Sequence, residues 1–338
     1  MKLISIASIN FRHMKKIFWI LGLTIVLVSC ENNPLEVEVK DQVNVPIKCF
    51  EKDLYSVTDA NIDEKLKELS EKYPKFINGD INDPSYRNSL LSEVNNPLNQ
   101  VLMEDRGKFG LSDERLKNEV NRVLSYYQYY YPNDRLTEVY TFVSGLHMSM
   151  DPIMLDRNSI VISVDKYYGK DYPVYQQAGY HSYQTQNMTH DFFPVDLARY
   201  IALSRFDVLS NDVTLLETMI YLGKIEYFIE ALNPGLSEQL LMGFKEEQMA
   251  YCTSNEKRVW TYLVEKELLY SKDMMEIKNY TENRPFISSV EKDSPGRMGV
   301  WYGKKIVKEY MAKENVSLQD LMKETDYLKI FQKAKYRP

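Results

Sequence analysis

Cysteine is scarce in this sequence, with three residues among 338. That number cannot supply the dense disulfide framework of a small secreted domain, and a chain of about 300 residues can bury a core without such staples. Cys30 ends the apolar run of a targeting segment, which leaves Cys49 and Cys252. An oxidising compartment would allow these two thiols to pair. Because Cys252 follows Met249 by three positions on a predicted apolar helix stripe, we favour a buried free thiol.

Histidine is equally scarce, and three histidines follow the targeting segment: His147, His181 and His190. None has a second histidine or a cysteine at the spacing of a zinc site, so the sequence lacks His-Glu-x-x-His. It also lacks the Gly-x-Ser-x-Gly elbow of serine hydrolases and the Gly-rich loops that bind phosphate. Asp191 and Asp196 are close to His190, and Asp165 ends a predicted strand, which leaves a carboxylate-based site open. We interpret these carboxylates as solvated or capping groups.

Positive charge is not concentrated anywhere in the chain, whose formal net charge is -6. A protein that neutralises a phosphate backbone needs a basic stripe, so we expect no nucleic-acid partner. Tyrosine, by contrast, is abundant, with 26 residues. Its amphipathic ring suits half-buried packing as well as contact with sugars or peptides. We favour packing and keep a glycan-binding surface lipoprotein as an alternative.

The N-terminal residues have the order of a secretion signal. Residues 12–16 supply three positive charges, residues 17–28 are uncharged and apolar, and Ser29 precedes Cys30. Twelve apolar residues are too few to span ~30 Å of hydrocarbon as a helix. Residues 27–30 resemble the bacterial lipobox. This resemblance implies a signal peptide at 1–29, cleavage before Cys30, and lipidation of Cys30 with acyl chains such as palmitate, which would anchor the protein to a membrane.

Residues 30–46 contain two prolines and few large apolar groups, and we predict that they form a lipidated tether. Residues 31–33 show no acidic or basic run that would mark export to the cell surface. We therefore expect a cell-envelope protein that faces the periplasm. The remaining residues, 47–338, are predicted to form a single domain.

Hydrophobic periodicity predicts two helices in the first part of that domain. Their apolar stripes are Leu66, Leu69, Tyr73 and Phe76, and then Leu116, Val120, Val123, Tyr127 and Tyr130. Two strands are expected at 139–143 and 159–164, where β-branched and aromatic residues dominate. The pattern predicts an α+β domain that is mostly helical and contains a small sheet.

A capping box, Thr214-x-x-Glu217, predicts the start of a helix that ends at 233–235. Apolar residues surround this helix, so we expect it to be central. A further helical stretch, 237–270, is expected to break near Gly243 and again at 253–255.

The segment that starts at Ser294-Pro295 predicts another helix, with serine as the N-cap and proline in the first turn. Gly299 and Gly303 lie one turn apart on it. Their missing side chains would allow another backbone to approach closely.

Four strings of the sequence resemble the gliding-motility lipoprotein GldB family of the Bacteroidota. They are Val-Tyr-Thr-Phe-Val-Ser-Gly at 139–145, Val-Asp-Lys-Tyr-Tyr-Gly at 164–169, Tyr-Leu-Gly-Lys-Ile-Glu-Tyr-Phe at 221–228 and Ser-Pro-Gly-Arg-Met-Gly-Val-Trp-Tyr-Gly at 294–303. The resemblance runs from about Phe50 to Met311. It implies an envelope lipoprotein required for gliding, which in that group is linked to adhesin secretion by the type IX system.

The family is in turn similar to zinc peptidases of the zincin type, in which one helix carries His-Glu-x-x-His and the next a Glu-Gly pair. On that pattern the first helix falls at 195–199 and the second pair at Leu222-Gly223. Valine and arginine then stand in the histidine positions, and leucine in the glutamate position. The resemblance implies a degenerate zincin-like domain without catalytic residues, metal or other cofactor.

The resulting hypothesis is a lipid-anchored, noncatalytic component of the gliding and secretion machinery, with the membrane and machinery proteins as partners. We leave enzymatic activity open and favour its absence. The alternative enzyme would be a metal-dependent envelope peptidase that uses His181, His190 and Asp196. Six residues are candidates for the cleft or its packing: Asp196, Arg199, Gly223, Arg297, Gly299 and Gly303.

Overall fold

A computed structural model describes Leu35 and residues 37–207, 209–210 and 212–338. The predicted signal peptide and the predicted lipidation site, Cys30, lie outside these residues. Residues 37–338 form one compact unit. No helix within the described part of the chain is both long enough and apolar enough to cross a bilayer.

The sheet has four short strands in the order β1-β2-β4-β3. Their bounds are β1 Ile47–Cys49, β2 Glu138–Phe142, β3 Ile153–Asp156 and β4 Ser159–Ser163. β2 pairs in parallel with β1 and with β4, whereas β3 runs antiparallel to β4. Val139 lies opposite Ile47 on one side and Ile160 on the other. The sequence patterns predicted β2 and β4, and missed β1 and β3 because three or four residues carry little periodicity.

Helices make up most of the domain, which confirms the α+β, mostly helical prediction. In the first half they are α1 Phe50–Leu54, α2 Ile62–Lys72, α3 Pro84–Val94, α4 Pro97–Phe109, α5 Asp113–Tyr130, α6 Pro173–Gln177 and α7 Ser182–Thr185. In the second half they are α8 Phe193–Arg205, α9 Leu215–Leu232, α10 Glu238–Met242, α11 Glu246–Glu265, α12 Met274–Thr281, α13 Met298–Glu314, α14 Leu318–Lys323 and α15 Tyr327–Ala334. Single 3-10 turns lie at Val164–Tyr167 and Leu268–Tyr270.

Helix α9 is the centre of the domain, as its apolar circumference predicted. The capping box is formed: the Thr214 amide donates to Glu217 Oε2 at 2.8 Å, and the Glu217 amide donates to Thr214 Oγ1 at 3.3 Å. Helices α8 and α13 pack against α9. A Cβ on Gly303 would overlap the carbonyl oxygen of Met219, and one on Gly223 would overlap the backbone of Gly303. The two glycines therefore allow α9 and α13 to touch backbone to backbone.

Three local predictions were wrong. Helix α2 ends at Lys72, so Tyr73 and Phe76 pack from beyond its end. The break expected at 253–255 is absent, because α11 continues through it and the Thr253 hydroxyl donates to the Met249 carbonyl inside the helix. Ser294 does not cap α13, which begins at Met298; its hydroxyl instead accepts from the Ile287 amide at 3.1 Å.

Three further features bear on the sequence predictions. Helix α10 ends at Met242, and Gly243 follows it as the C-cap with φ of 67°, which confirms the break expected near Gly243. Cys252 is a buried free thiol on α11, as its position on the apolar stripe predicted. At the domain's N-terminal side, the amides of Val43 and Val45 donate to Ser125 Oγ and Asn121 Oδ1 of α5, so this end of the predicted tether lies against the domain.

Candidate functional site

A cavity of about 460 Å³ opens beside α8 and α9 and the residues that lead into α13. Its opposite side is formed by residues 148–152, which precede β3, and by residues 180–188. Three of the six candidate residues line it, namely Asp196, Arg199 and Arg297. The cavity is therefore where the structure brings the predicted charged residues together.

Four charged side chains, which we call the charged floor, lie at the base of this cavity: Asp196, Arg199, Glu226 and Arg297. Arg199 donates from Nη1 to Asp196 Oδ1 at 2.8 Å and from Nη2 to Glu226 Oε1 at 3.3 Å. Arg297 donates from Nη2 to the same Glu226 oxygen. Glu226 is thus held between two guanidinium groups, and its side chain is 2% exposed.

Helix geometry explains part of this arrangement. Asp196 and Arg199 are three positions apart on α8, a spacing that places them on one face. Tyr167 donates from its hydroxyl to Asp196 Oδ2 at 3.1 Å and so holds the carboxylate from the other side. The spacing on α8 and the Tyr167 hydrogen bond therefore orient Asp196 and Arg199 independently of Glu226 on α9.

Arg297 reaches the floor because of the turn before α13. It has φ of 64°, in the left-handed region, and donates from Nη1 to the Met242 carbonyl at 2.9 Å. A Cβ on the preceding Gly296 would lie 2.6 Å from the Arg284 amide nitrogen. In the Pro-Gly-Arg string, the glycine therefore allows two backbone segments to lie close together, and the arginine places its guanidinium in the charged floor.

Electrostatics of the charged floor favour charge on Glu226. Burial opposes ionisation, but Arg199, Arg297 and Lys304 together hold the pKa of Glu226 below its ordinary value. Burial raises the pKa of Asp196 despite the neighbouring Arg199. Burial also lowers the pKa of Arg297, while Glu226 and Asp196 raise the pKa of Arg199 against the cost of burial. The floor is a compensated cluster whose negative charge is best stabilised on Glu226.

The donor set does not fit a catalytic zinc ion. A guanidinium offers N–H donors and no lone pair for a metal, and two of them would repel a dication from Glu226. Across the described residues, no three His, Cys, Asp or Glu side chains are grouped so that they could hold a metal ion. His181 is exposed and His190 is half-buried, and neither lines the cavity. His190 instead contacts the Phe109 carbonyl at 2.6 Å through Nε2.

Glu226 is the residue that the sequence analysis missed. The expected Glu-Gly position was Leu222-Gly223, yet the side chain that meets Arg199 comes from one helical turn later on α9. Leu222 lines the cavity as an apolar wall residue. A signal was present, because Glu226 is an acidic residue inside a helix whose other residues are mostly apolar and buried, where a charge requires a partner.

The three candidate glycines lie behind the floor, in the contact between helices. Gly223 and Gly303 face each other across α9 and α13. A Cβ on Gly299 would lie 2.8 Å from the Tyr280 carbonyl oxygen. These glycines contribute to the helix packing that holds Glu226 and Arg297 at contact distance.

The comparisons with known proteins give one match. The model of a family described as gliding motility protein GldB matches residues 32–338. No curated protein and no solved structure matches the chain. A match over this length covers nearly the whole chain, including the charged floor and the strings at 221–228 and 294–303. The chain therefore belongs to the GldB family of gliding motility proteins.

Proposed function

We propose that this protein is a lipid-anchored, noncatalytic component of the cell envelope that gliding motility and the linked type IX secretion of adhesins require. Membership of the family implies a role in gliding. The signal-like residues 12–28 and the lipobox-like residues that end at Cys30 support a lipid anchor. The absence of an acidic or basic run after Cys30 supports an orientation toward the periplasm.

The charged floor is the observation that carries the noncatalytic part of this proposal. In the zincin-like arrangement that the family resemblance suggests, metal ligands would come from the first helix and from the helix after it. Here α8 supplies Arg199 and the turn before α13 supplies Arg297, and both bind Glu226. A carboxylate neutralised in this way is neither a metal ligand nor a poised base.

The cavity above the floor is suited to contact with a partner protein. Met148, Met150 and Met188 line it, and methionine adapts to apolar groups of many shapes. Met148 is 59% exposed and is available at the rim. We therefore assign the protein's role in the machinery to contacts made in and around this cavity.

Deletion of the gene tests the motility assignment. We expect loss of colony spreading and loss of adhesin display, both restored by the wild-type gene. Spreading and display at wild-type levels in the deletion strain would contradict the proposal.

A matched pair of substitutions tests the cavity. Glu226→Gln removes the charge that holds two arginines at the floor, whereas Glu51→Gln removes a fully buried glutamate paired with Arg106 elsewhere. At equal protein levels, we expect the first variant to lose most spreading and the second to keep it. Equal spreading of the two variants would show that the cavity is not the working surface.

The anchor has its own test. Cys30→Ser should leave the domain folded, because residues 37–338 form a compact unit of their own, and should weaken spreading. A fully motile Cys30→Ser strain would show that the lipid anchor is dispensable.

A further inference from the structure

The cavity above the charged floor continues into a longer groove. A second cavity of about 680 Å³ and a third of about 180 Å³ adjoin it. Asn187 lines all three, Phe192 is shared by the first and second, and Asn283 by the first and third. We call the three together the groove. Its extent suits an elongated ligand better than a compact metabolite.

Side-chain amides recur along the groove. Gln184, Asn187 and Asn283 line the first cavity, and Gln176, Gln186 and Gln239 line the second. An amide can both donate and accept, as a peptide group does. Gln184 Oε1 already accepts from the His181 amide and Gln186 Nε2 already donates to the Gly243 carbonyl, so these two offer a ligand their other amide atom. A row of them can therefore pair with the backbone of an extended polypeptide without requiring a particular sequence.

Two lysines that line the groove have no carboxylate bonded to them, and Lys166 is buried whereas Lys245 is exposed. Lys166 is 5% exposed and lines the first cavity. Its ammonium donates to the His147 carbonyl at 2.7 Å and to the Tyr180 hydroxyl, both neutral groups. Arg199 and Arg297, by contrast, both donate to Glu226.

Keeping an ammonium buried beside neutral acceptors is unfavourable, and burial accordingly lowers the pKa of Lys166, although Asp165 and Asp151 act against this at a distance. Asp165 is not bonded to the Lys166 ammonium: its Oδ1 accepts from the Ser144 amide, and its Oδ2 accepts from the Ser144 hydroxyl and the Leu146 amide. A ligand carboxylate would supply the missing charge. Two of the three ammonium protons are used by His147 and Tyr180, which leaves one for such a ligand.

We infer that the groove binds an extended polypeptide at its C terminus, with the terminal carboxylate on Lys166 and the last apolar side chains among Met148, Met150 and Met188. This inference deepens the proposed function and rests on it, since it specifies the partner chemistry of the same cavity. The amide-lined second and third cavities hold the residues that precede the terminus.

Methionine methyl groups provide the measurement. The full chain, purified in detergent with 13C-labelled methionine methyls, is titrated with a pool of random octapeptides that have free C termini, and then with the same pool amidated. Met148, Met150 and Met188 report on the groove, while Met274 and Met275, which do not line it, serve as internal controls. We expect shifts at the three groove signals with the free pool and at least tenfold weaker binding of the amidated pool.

Two variants test whether Lys166 itself, and not positive charge in general, binds the terminal carboxylate. Lys166→Gln keeps a group that can donate to His147 and Tyr180 and should remove the preference for the free carboxylate. Lys170→Gln, at a lysine that lines the second cavity and pairs with Asp171, should keep it. An unchanged methionine spectrum without peptide verifies that each variant is folded.

The inference is overturned if neither pool shifts the groove signals, if both pools bind equally, or if Lys166→Gln keeps the preference. A soluble glycan that shifts the same signals while the peptides do not would also overturn it. If peptides fail to bind while Glu226→Gln still abolishes spreading, the proposed function stands and only this inference falls.

Discussion

Two buried Arg–Glu clusters in this protein share a chemistry and differ in setting. Glu51 of α1 pairs with Arg106 of α4 at 2.8 Å and accepts from the Thr141 hydroxyl of β2 at 2.7 Å. Glu226 pairs with two arginines and lines the cavity. Glu51 lines none of the cavities described above. The first cluster joins a helix to the sheet, and the second forms the base of an open site.

The same difference appears in the proton equilibria. Burial raises the pKa of Glu51 despite Arg106, because one arginine does not offset desolvation. Two arginines and Lys304 lower the pKa of Glu226 although it is buried too. A buried ion pair alone therefore does not mark a functional site. The excess of positive charge around one carboxylate, at a cavity, is the more informative feature.

Removing one arginine from each cluster should give the largest change in the free energy of unfolding. Arg106→Met leaves Glu51 buried without its guanidinium and should lower the free energy of unfolding by about 3–5 kcal/mol. Arg297→Met leaves Glu226 with Arg199 and should cost less, about 1–3 kcal/mol. Urea denaturation followed by circular dichroism measures both. An equal loss in the two variants would remove the distinction between the clusters.

The next effect concerns the helix contact behind the floor. Gly303→Ala places a methyl group against the Met219 carbonyl and should destabilise the protein by about 3 kcal/mol, because the conflict is with backbone and cannot be relieved by a rotamer change. Gly107→Ala on α4 meets no atom within 4 Å and should stabilise by about 0.5–1 kcal/mol. Thermal unfolding compares them. A stable Gly303→Ala variant would show that the two helices can separate without loss.

The smallest effect is expected in the pH dependence of the free energy of unfolding. Its sign should be opposite for substitutions of the two glutamates. The folded-state pKa of Glu226 is lowered, so its contribution is complete above its unfolded pKa and is lost as pH falls through the folded value. Glu226→Gln should therefore destabilise most near neutral pH and least in acid. The folded-state pKa of Glu51 is raised, so ionisation in the folded protein is unfavourable, and Glu51→Gln should cost less near neutral pH than in acid.

Denaturation at a series of pH values from acid to neutral measures these two slopes. Parallel slopes for Glu226→Gln and Glu51→Gln would contradict the assignment of opposite proton equilibria to the two clusters.

Much of the fold was readable from short stretches of sequence. The capping box at Thr214 and Glu217 placed the start of α9, and Gly243 marked the end of α10, because each signal acts within one turn of a helix. Ser294-Pro295 has a comparable local signal, yet it failed. There the Ser294 hydroxyl bonds to Ile287, a partner seven residues away that competes with capping.

The sequence by itself determined the targeting pattern, the helical periodicity, the burial of α9 and the strings shared with the family, because each depends on residues that are near one another in the chain. It also indicated Asp196, Arg199 and Arg297 as candidate residues of the cleft. Only the tertiary structure decided that Glu226 joins them. Its partners lie 27 and 71 positions away: Arg199 is on α8, which packs against α9, and Arg297 precedes α13, which glycines allow to touch α9. Contacts at such separations depend on the packing of whole helices and leave no periodic trace in the sequence.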